Sequence, residues 1–237
     1  MKFLRTTLKR SQSPSWARYL LFTLGEMVLI IAGILIALHL DSNKEERGKE
    51  ATREKYTTLL VEDLQKDKTR LEACLDYDLK RADYAADYLR TDDAELTAKM
   101  LWHFLNTQSL IAHDATYQSM IANNALELID DLGTQKAISE YYSSLGHCQR
   151  FEYWYIDHQF ADFLGAVGDS KLLVDFMRRS ETDLRDAAIR LPVEQQEIVD
   201  GHIYFAEKTS RLEAKRYQDI LGELNSLTEL LQDEMAR

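Results

Sequence analysis

The sequence predicts an all-α protein: a single N-terminal transmembrane helix that continues into a long stalk helix, followed by an extracytoplasmic antiparallel helical bundle. Only 9 of the 237 residues are glycine and 2 are proline, the residues that most often interrupt helices. Apolar residues recur along the chain at spacings of three and four, which is the helical period. Residues 19–40 are apolar almost throughout, and a helix of ~20 such residues crosses a ~30 Å hydrocarbon core.

The apolar stretch reads YLLFTLGEMVLIIAGILIALHL, and its only acidic or basic side chains are those of Glu26 and His39. A cleaved signal peptide is the alternative to a membrane anchor. However, the apolar run is longer than the 7–15 residues usual in signal peptides, and Ala37-Leu38-His39 does not form a small-x-small cleavage site. We therefore expect an uncleaved signal anchor.

Charge is distributed very unevenly about this stretch. Residues 1–18 contain five basic and no acidic side chains, which gives +5, and the span adds -1 through Glu26. Residues 41–237 therefore carry a net charge of -15, since the whole chain carries -11. Positive residues that flank a span are retained in the cytoplasm. We therefore expect a basic cytoplasmic tail over 1–18, in contact with the anionic lipid bilayer, and the large domain outside the cytoplasm. Nucleic acid is not an expected partner of so acidic a domain.

Nothing after Leu40 predicts an end to the first helix. Residues 41–90 contain no proline and one glycine, Gly48. Residues 41–55 are polar on all sides and predict a solvated juxtamembrane stalk, so the packed bundle is expected over 56–237. Apolar residues then follow at helical spacing: Leu60, Leu64, Leu71, Leu75, Ala82, Ala85 and Leu89.

A second helix is predicted over 93–107, and residues 109–131 form the least regular part of the bundle. We call residues 109–131 the corner. A short helix is expected from Thr116, ended by an asparagine pair able to adopt the left-handed conformation. Loops that a rigid scaffold positions often carry binding groups. The candidate ligand or partner residues here are His113, Asp114, Tyr117, Asn123 and Asn124.

Three further helices complete the predicted bundle. A long helix after Asp131 is dense in aromatic side chains, which form either part of the core or the floor of a ligand pocket. A short helix is expected over 170–179. The last helix, from Pro192 to about Met235, has a stripe of nearly heptad period, as in a coiled coil. The stripe comprises Ile198, His202, Phe205, Thr209, Leu212, Arg216, Ile220, Leu224, Leu227 and Leu231.

The sequence offers little evidence for chemistry. The chain has two cysteines, Cys74 and Cys148, which form either one disulfide in an oxidising compartment or two buried free thiols. None of the six histidines follows a glutamate by three residues, the spacing that di-iron bundles use. No nucleophile elbow, P-loop or dinucleotide-binding motif is present. We therefore expect no enzymatic activity, no metal and no cofactor.

Two blocks of sequence carry a resemblance. The block GEMVLIIAGILIALHLDSNKEER resembles the signature of a family of uncharacterised single-span proteins from Bacteroidota, which reads GE, an aliphatic run, GI-x-IAL and a polar exit. The block TYQSMIANNALELIDD, followed by ISEYY, resembles a second family motif, although Asn124 stands where that motif has glycine. The resemblance covers roughly residues 15–145. It implies a single-pass protein of the bacterial inner membrane with a periplasmic domain, and no catalytic residues.

One face of the span combines a carboxylate with small residues. Glu26, Ile30, Gly33 and Ala37 lie at helical spacing, and we call these four residues the span face. A carboxylate within a span normally faces protein, and a small-x-x-x-small pair allows two helix backbones to approach closely. The span face therefore predicts association between helices. The alternative is a monomer in which Glu26 reaches the cytoplasmic headgroups.

The sequence thus favours a membrane-anchored, non-enzymatic interaction protein of the cell envelope. We expect it to assemble as a homo-oligomer or with another membrane protein. One alternative is an extracytoplasmic sensor that binds a ligand at the corner. Another is an oligomer that conducts ions or protons past Glu26.

Overall fold

The computed structural model divides into two compact units, with the boundary between Ala51 and Thr52. The structure describes residues 15–91, 96–97, 103–104, 108–155, 158, 161–168, 188–189 and 193–236. Residues 1–14 of the predicted tail lie outside this description, as does the helix predicted over 170–179.

The described residues are helical apart from short connections and one small strand pair, so the predicted all-α class is confirmed. The helices are α1 (Ser15–Leu89), α2 (Ala115–Ala122), a 3₁₀ helix (Ala125–Leu128), α3 (Leu132–Tyr155), α4 (Ala161–Gly168) and α5 (Val193–Met235). The two-residue strands β1 (Leu96–Thr97) and β2 (Ala188–Ile189) pair antiparallel, with Leu96 opposite Ile189.

The first unit contains the apolar part of α1. By length and composition this helix could cross a membrane, and no part of its apolar window is buried within the protein. From Tyr19 to Leu40 every residue except Ala32 is exposed. The helix continues past Leu40 as predicted and ends at Leu89.

The second unit is built around α1, α3 and α5. Helices α1 and α5 lie side by side and run antiparallel: residues earlier in α1 contact residues later in α5, and residues later in α1 contact residues earlier in α5. The paired side chains are Arg53 with Glu234, Lys68 with Asn225, Arg81 with Ser210, and Tyr88 with Asp200. Buried leucines of both helices meet Ile138 and Leu145 of α3 in one core.

The buried residues of these helices follow a heptad alternation of three and four. On α5 this alternation runs through the buried Val199, Ile203, Ala206, Ser210, Glu213, Tyr217, Ile220, Leu224, Leu227, Leu231 and Glu234, and the neighbouring Glu207, Thr209 and Ala214 are also buried. The predicted stripe is therefore correct at Thr209 and from Ile220 onward, whereas its other members lie one residue before a buried position, and Ile198 and Leu212 are exposed. The apolar residues Ile198 and Leu212 favoured the wrong register, whereas packing keeps the strict alternation and buries Ser210 and Glu213 instead.

One helix prediction needs correction. Leu96 and Thr97, predicted within a helix over 93–107, are extended because their backbone pairs with residues 188–189, far along the chain; His103 and Phe104 are helical. The long helix predicted after Asp131 is helical wherever the structure describes it: α3 covers Leu132–Tyr155, His158 is π-helical, and α4 covers Ala161–Gly168.

The predicted left-handed turn of the corner is confirmed. Asn124, between α2 and the 3₁₀ helix, has φ 51° and is the one non-glycine residue with positive φ among those described. Asparagine tolerates this conformation because its short polar side chain bonds locally.

We expect Asn124→Ala to lower the free energy of unfolding by about 1 kcal/mol, because an ordinary Cβ is disfavoured at positive φ. Asn124→Gly is the matched control and is expected to be neutral or slightly stabilising. Chemical unfolding of the full chain in detergent measures both. Equal effects of alanine and glycine would show that the asparagine side chain, not the backbone, matters here.

Candidate functional site

The span face lies open in the first unit. Glu26, Gly33 and Ala37 are exposed on α1, and a Cβ added at Gly33 would meet no atom within 4 Å. Among the residues that the structure describes, none forms a hydrogen bond or ion pair with the Glu26 carboxylate. The face therefore offers both a close approach for a second helix and an unsatisfied polar group.

The corner residue His113 binds a buried carboxylate of α1. Asp67 is completely buried and accepts hydrogen bonds from the backbone N–H of His113 at 2.8 Å and from Tyr141 Oη at 2.9 Å. The Nδ1 atom of His113 lies 2.9 Å from the same carboxylate. The His113 side chain is 40% exposed. Asp67 thus holds the start of the corner against α1 and α3.

The other predicted corner residues are also held by protein groups. Tyr117 stacks on Tyr142 with ring centroids 4.4 Å apart. Asp114 accepts a hydrogen bond from Gln118 at 3.3 Å, and the Asn123 side chain donates to the Ser119 carbonyl at 2.8 Å. These contacts give the corner a packing role, and its ligand-binding role remains a prediction.

Sequence reasoning missed a buried group of three carboxyls, which we call the acid cluster: Asp78 of α1, Glu152 of α3 and Glu213 of α5. Each is less than a tenth exposed. Each lies four residues after a buried position of its own helix, Cys74, Cys148 and Thr209 respectively. A heptad alternation continued through charged residues would have predicted that each is buried, but not that the three lie together.

Hydrogen bonds from several elements converge on the acid cluster. Glu152 accepts from the backbone N–H of Leu110 at 2.7 Å and from the Tyr217 hydroxyl. Glu213 accepts from Arg216 at 2.7 Å, and Cys148 Sγ lies 3.6 Å from its other oxygen. The cluster therefore joins α3 and α5 to each other and to the first residues of the corner.

A buried guanidinium lies beside the acid cluster. Arg81 pairs with Asp78 at 2.9 Å, donates to Ser210 Oγ at 2.6 Å and lies over the Tyr155 ring at 5.0 Å. Arg81 and the three carboxyls border a cavity of about 20 Å³, which is room for about one water molecule.

Burial shifts the protonation of the cluster. It raises the pKa of Asp78 to about 6, although Arg81 opposes the shift. It raises the pKa of Glu213 to about 7, with Arg216 opposing and Asp78 adding to the shift. Burial also raises the pKa of Glu152, against the hydrogen bonds from Tyr217 and Leu110. The cluster therefore retains protons at pH values where ordinary carboxyls are ionised.

Three potential metal ligands lie close together at the acid cluster. Ligand atoms of Cys148, Glu152 and Glu213 lie within 4.8 Å of one another. However, both glutamates already accept hydrogen bonds at both oxygens. Burial and the two carboxyls raise the pKa of the Cys148 thiol, whereas a metal needs the thiolate. This set is a hydrogen-bonded network, and we do not assign it to a metal.

The two cysteines are free, buried thiols on different helices, α1 and α3. This is the second of the two alternatives that the sequence left open. Cys74 Sγ lies 3.5 Å from the Gln108 carbonyl oxygen, and burial raises the pKa of the Cys74 thiol to about 12. Both thiols therefore act as protonated packing groups here.

The chain matches no protein-family model, and neither a curated protein nor a solved structure is significantly similar to it.

Proposed function

We propose that this protein is a membrane-anchored, non-enzymatic interaction protein of the cell envelope that assembles with further copies of itself through its span. The observation that carries the proposal is the Glu26 carboxylate, which lies without a described partner on the same open face as Gly33 and Ala37. The proposed location is the bacterial inner membrane, with the basic tail in the cytoplasm and the second unit in the periplasm. The helix length and the excess of positive charge before it support that location.

Association of two spans lowers the cost of placing the Glu26 carboxyl in the membrane. An acidic side chain in a span costs roughly 2.5–3.5 kcal/mol at mid-bilayer and less near the interface. A partner helix that offers a hydrogen bond reduces this cost. Because Gly33 and Ala37 lie on the same face, a second copy could approach closely enough for the two Glu26 side chains to bind each other.

We expect Gly33→Ile to reduce crosslinked oligomer in native membranes by several fold, because the added side chain keeps the two backbones apart. Gly25→Ile is the matched control. Gly25 also has no atom within 4 Å of an added Cβ, but it lies about 80° away around the helix. The control should therefore retain the wild-type amount of oligomer.

Three results would contradict self-assembly: recovery of monomer only, an equal effect of both isoleucine variants, or a crosslinked band that contains only a different protein. Glu26→Gln is a further test, since glutamine keeps the hydrogen bond but cannot ionise. We expect this variant to assemble like wild type. Changed ion leakage of vesicles that contain it would instead favour the conducting oligomer.

A further inference from the structure

We infer that the acid cluster is a proton-operated latch, which holds α1, α3, α5 and residues 108–110 together while protonated and loosens them when it ionises. The inference is independent of the proposed assembly through the span, because it concerns only the second unit.

The geometry supplies more buried acid than buried base. Asp78, Glu152 and Glu213 converge from three helices, while Arg81 is the one buried arginine or lysine in the part of the chain that the structure describes. Arg216 reaches Glu213 from the edge, and its side chain is 37% exposed. Arg70 also lies at the edge and donates to the Ser109 carbonyl oxygen at 2.8 Å. Full ionisation would therefore bury three negative charges against a single buried positive charge, which is unfavourable in a medium of low dielectric constant.

Among the ionisable groups at the acid cluster, its three carboxyls are the ones that titrate. Other ionisable groups face the cluster from all three helices. From α1 these groups are Arg70, Cys74, Tyr77 and Arg81; from α3, Cys148 and Tyr155; from α5, Arg216 and Tyr217. Residues 108–110 contribute no ionisable side chain, only the Leu110 N–H. Burial raises the pKa of both thiols and of Tyr77 and Tyr217, which therefore stay protonated. The arginines stay charged.

The direction of the pH effect follows from the raised carboxyl pKa values. Since the native state binds these protons more tightly than the unfolded chain does, stability is complete at low pH and falls as pH rises through the folded pKa values. For Asp78, stability falls over the pH range from its ordinary pKa of 3.8 up to its raised pKa of about 6. For Glu213, the range runs from the ordinary pKa of 4.5 up to about 7. Each pKa unit is tenfold in the folding equilibrium constant, so Glu213 alone contributes on the order of 100-fold.

The first experiment compares unfolding of the full chain in detergent at about pH 5 and pH 8. For wild type we expect the ratio of folded to unfolded protein to fall by on the order of 100-fold or more over this range. Glu213→Gln should remove much of this fall in the ratio, because glutamine does not ionise. The variant should be more stable than wild type at the higher pH, since the glutamine oxygen can still accept a hydrogen bond from Arg216. Glu223→Gln is the matched control, since Glu223 is an exposed glutamate of the same helix, and it should retain the wild-type slope.

A second measurement uses wild-type protein only, so it tests the latch even if Glu213→Gln fails to fold. Infrared spectra of wild type should show a protonated-carboxyl band that titrates near neutral pH. Hydrogen exchange, corrected for the intrinsic pH dependence, should accelerate around Glu152 and Tyr217 as that band disappears. A carboxyl band that is lost entirely by about pH 5, exchange that does not change, or equal pH slopes for both glutamine variants would overturn the latch.

Discussion

Replacing Arg81 by methionine is expected to lower the free energy of unfolding by about 3 kcal/mol near neutral pH. Methionine preserves most of the side-chain volume but removes the charge and the donors that bind Asp78 and Ser210. Asp78 then remains buried without its cationic partner and must either stay charged at a high cost or take up a proton. Because protonation relieves the cost, the loss should shrink toward acidic pH.

Arg211→Met is the matched control for this prediction. Arg211 of α5 also reaches α1, through Asp83, but its side chain is 47% exposed. Its other partner, Glu207, lies on α5 as well and keeps Lys208 as a partner. The Arg211–Asp83 pair is exposed at both ends, 47% and 71%, and such a pair contributes less than about 1 kcal/mol. Chemical unfolding of both variants at neutral and acidic pH makes the comparison. Equal losses, or a loss for Arg81→Met that does not depend on pH, would contradict the assigned role of the buried pair.

Asp67→Ala is expected to be similarly destabilising, by about 3 kcal/mol, because it leaves the Tyr141 hydroxyl and the His113 backbone N–H without their acceptor. Tyr141→Phe removes only one donor and should cost about 1 kcal/mol. The double variant Asp67→Ala/Tyr141→Phe should then cost less than the sum of the two changes, because the hydroxyl left unpaired by the first is absent in the second.

The control for this series is Asp76→Ala. Asp76 is an exposed aspartate of α1 whose partner, Lys80, is also exposed, so no measurable loss is expected. Additive effects in the double variant would show that Tyr141 and Asp67 stabilise the unit independently, contrary to the hydrogen bond between them.

Features that depend on neighbouring residues were predictable from the sequence. The long α1, the left-handed Asn124 and the extent of α5 follow from local periodicity and turn chemistry. The β1–β2 pair was not predictable, since residues 96 and 189 meet only through the fold. The acid cluster was missed because Glu152 and Glu213 resemble surface residues when each helix is considered alone. Only the packing of three helices shows that they share one buried seam.

The pairing of α1 with α5 has a consequence for biosynthesis. Leu60 and Leu231 belong to the same core, yet the ribosome makes them far apart in time. At 5–20 residues per second, the intervening chain takes on the order of 10 s to synthesise. The part of the apolar stripe of α1 that α5 covers therefore stays exposed until α5 is made, and we expect a holdase chaperone to bind it during that time. A chain truncated before α5 would never cover it, so we expect quality-control proteases to remove such fragments rather than let them accumulate as a smaller folded domain.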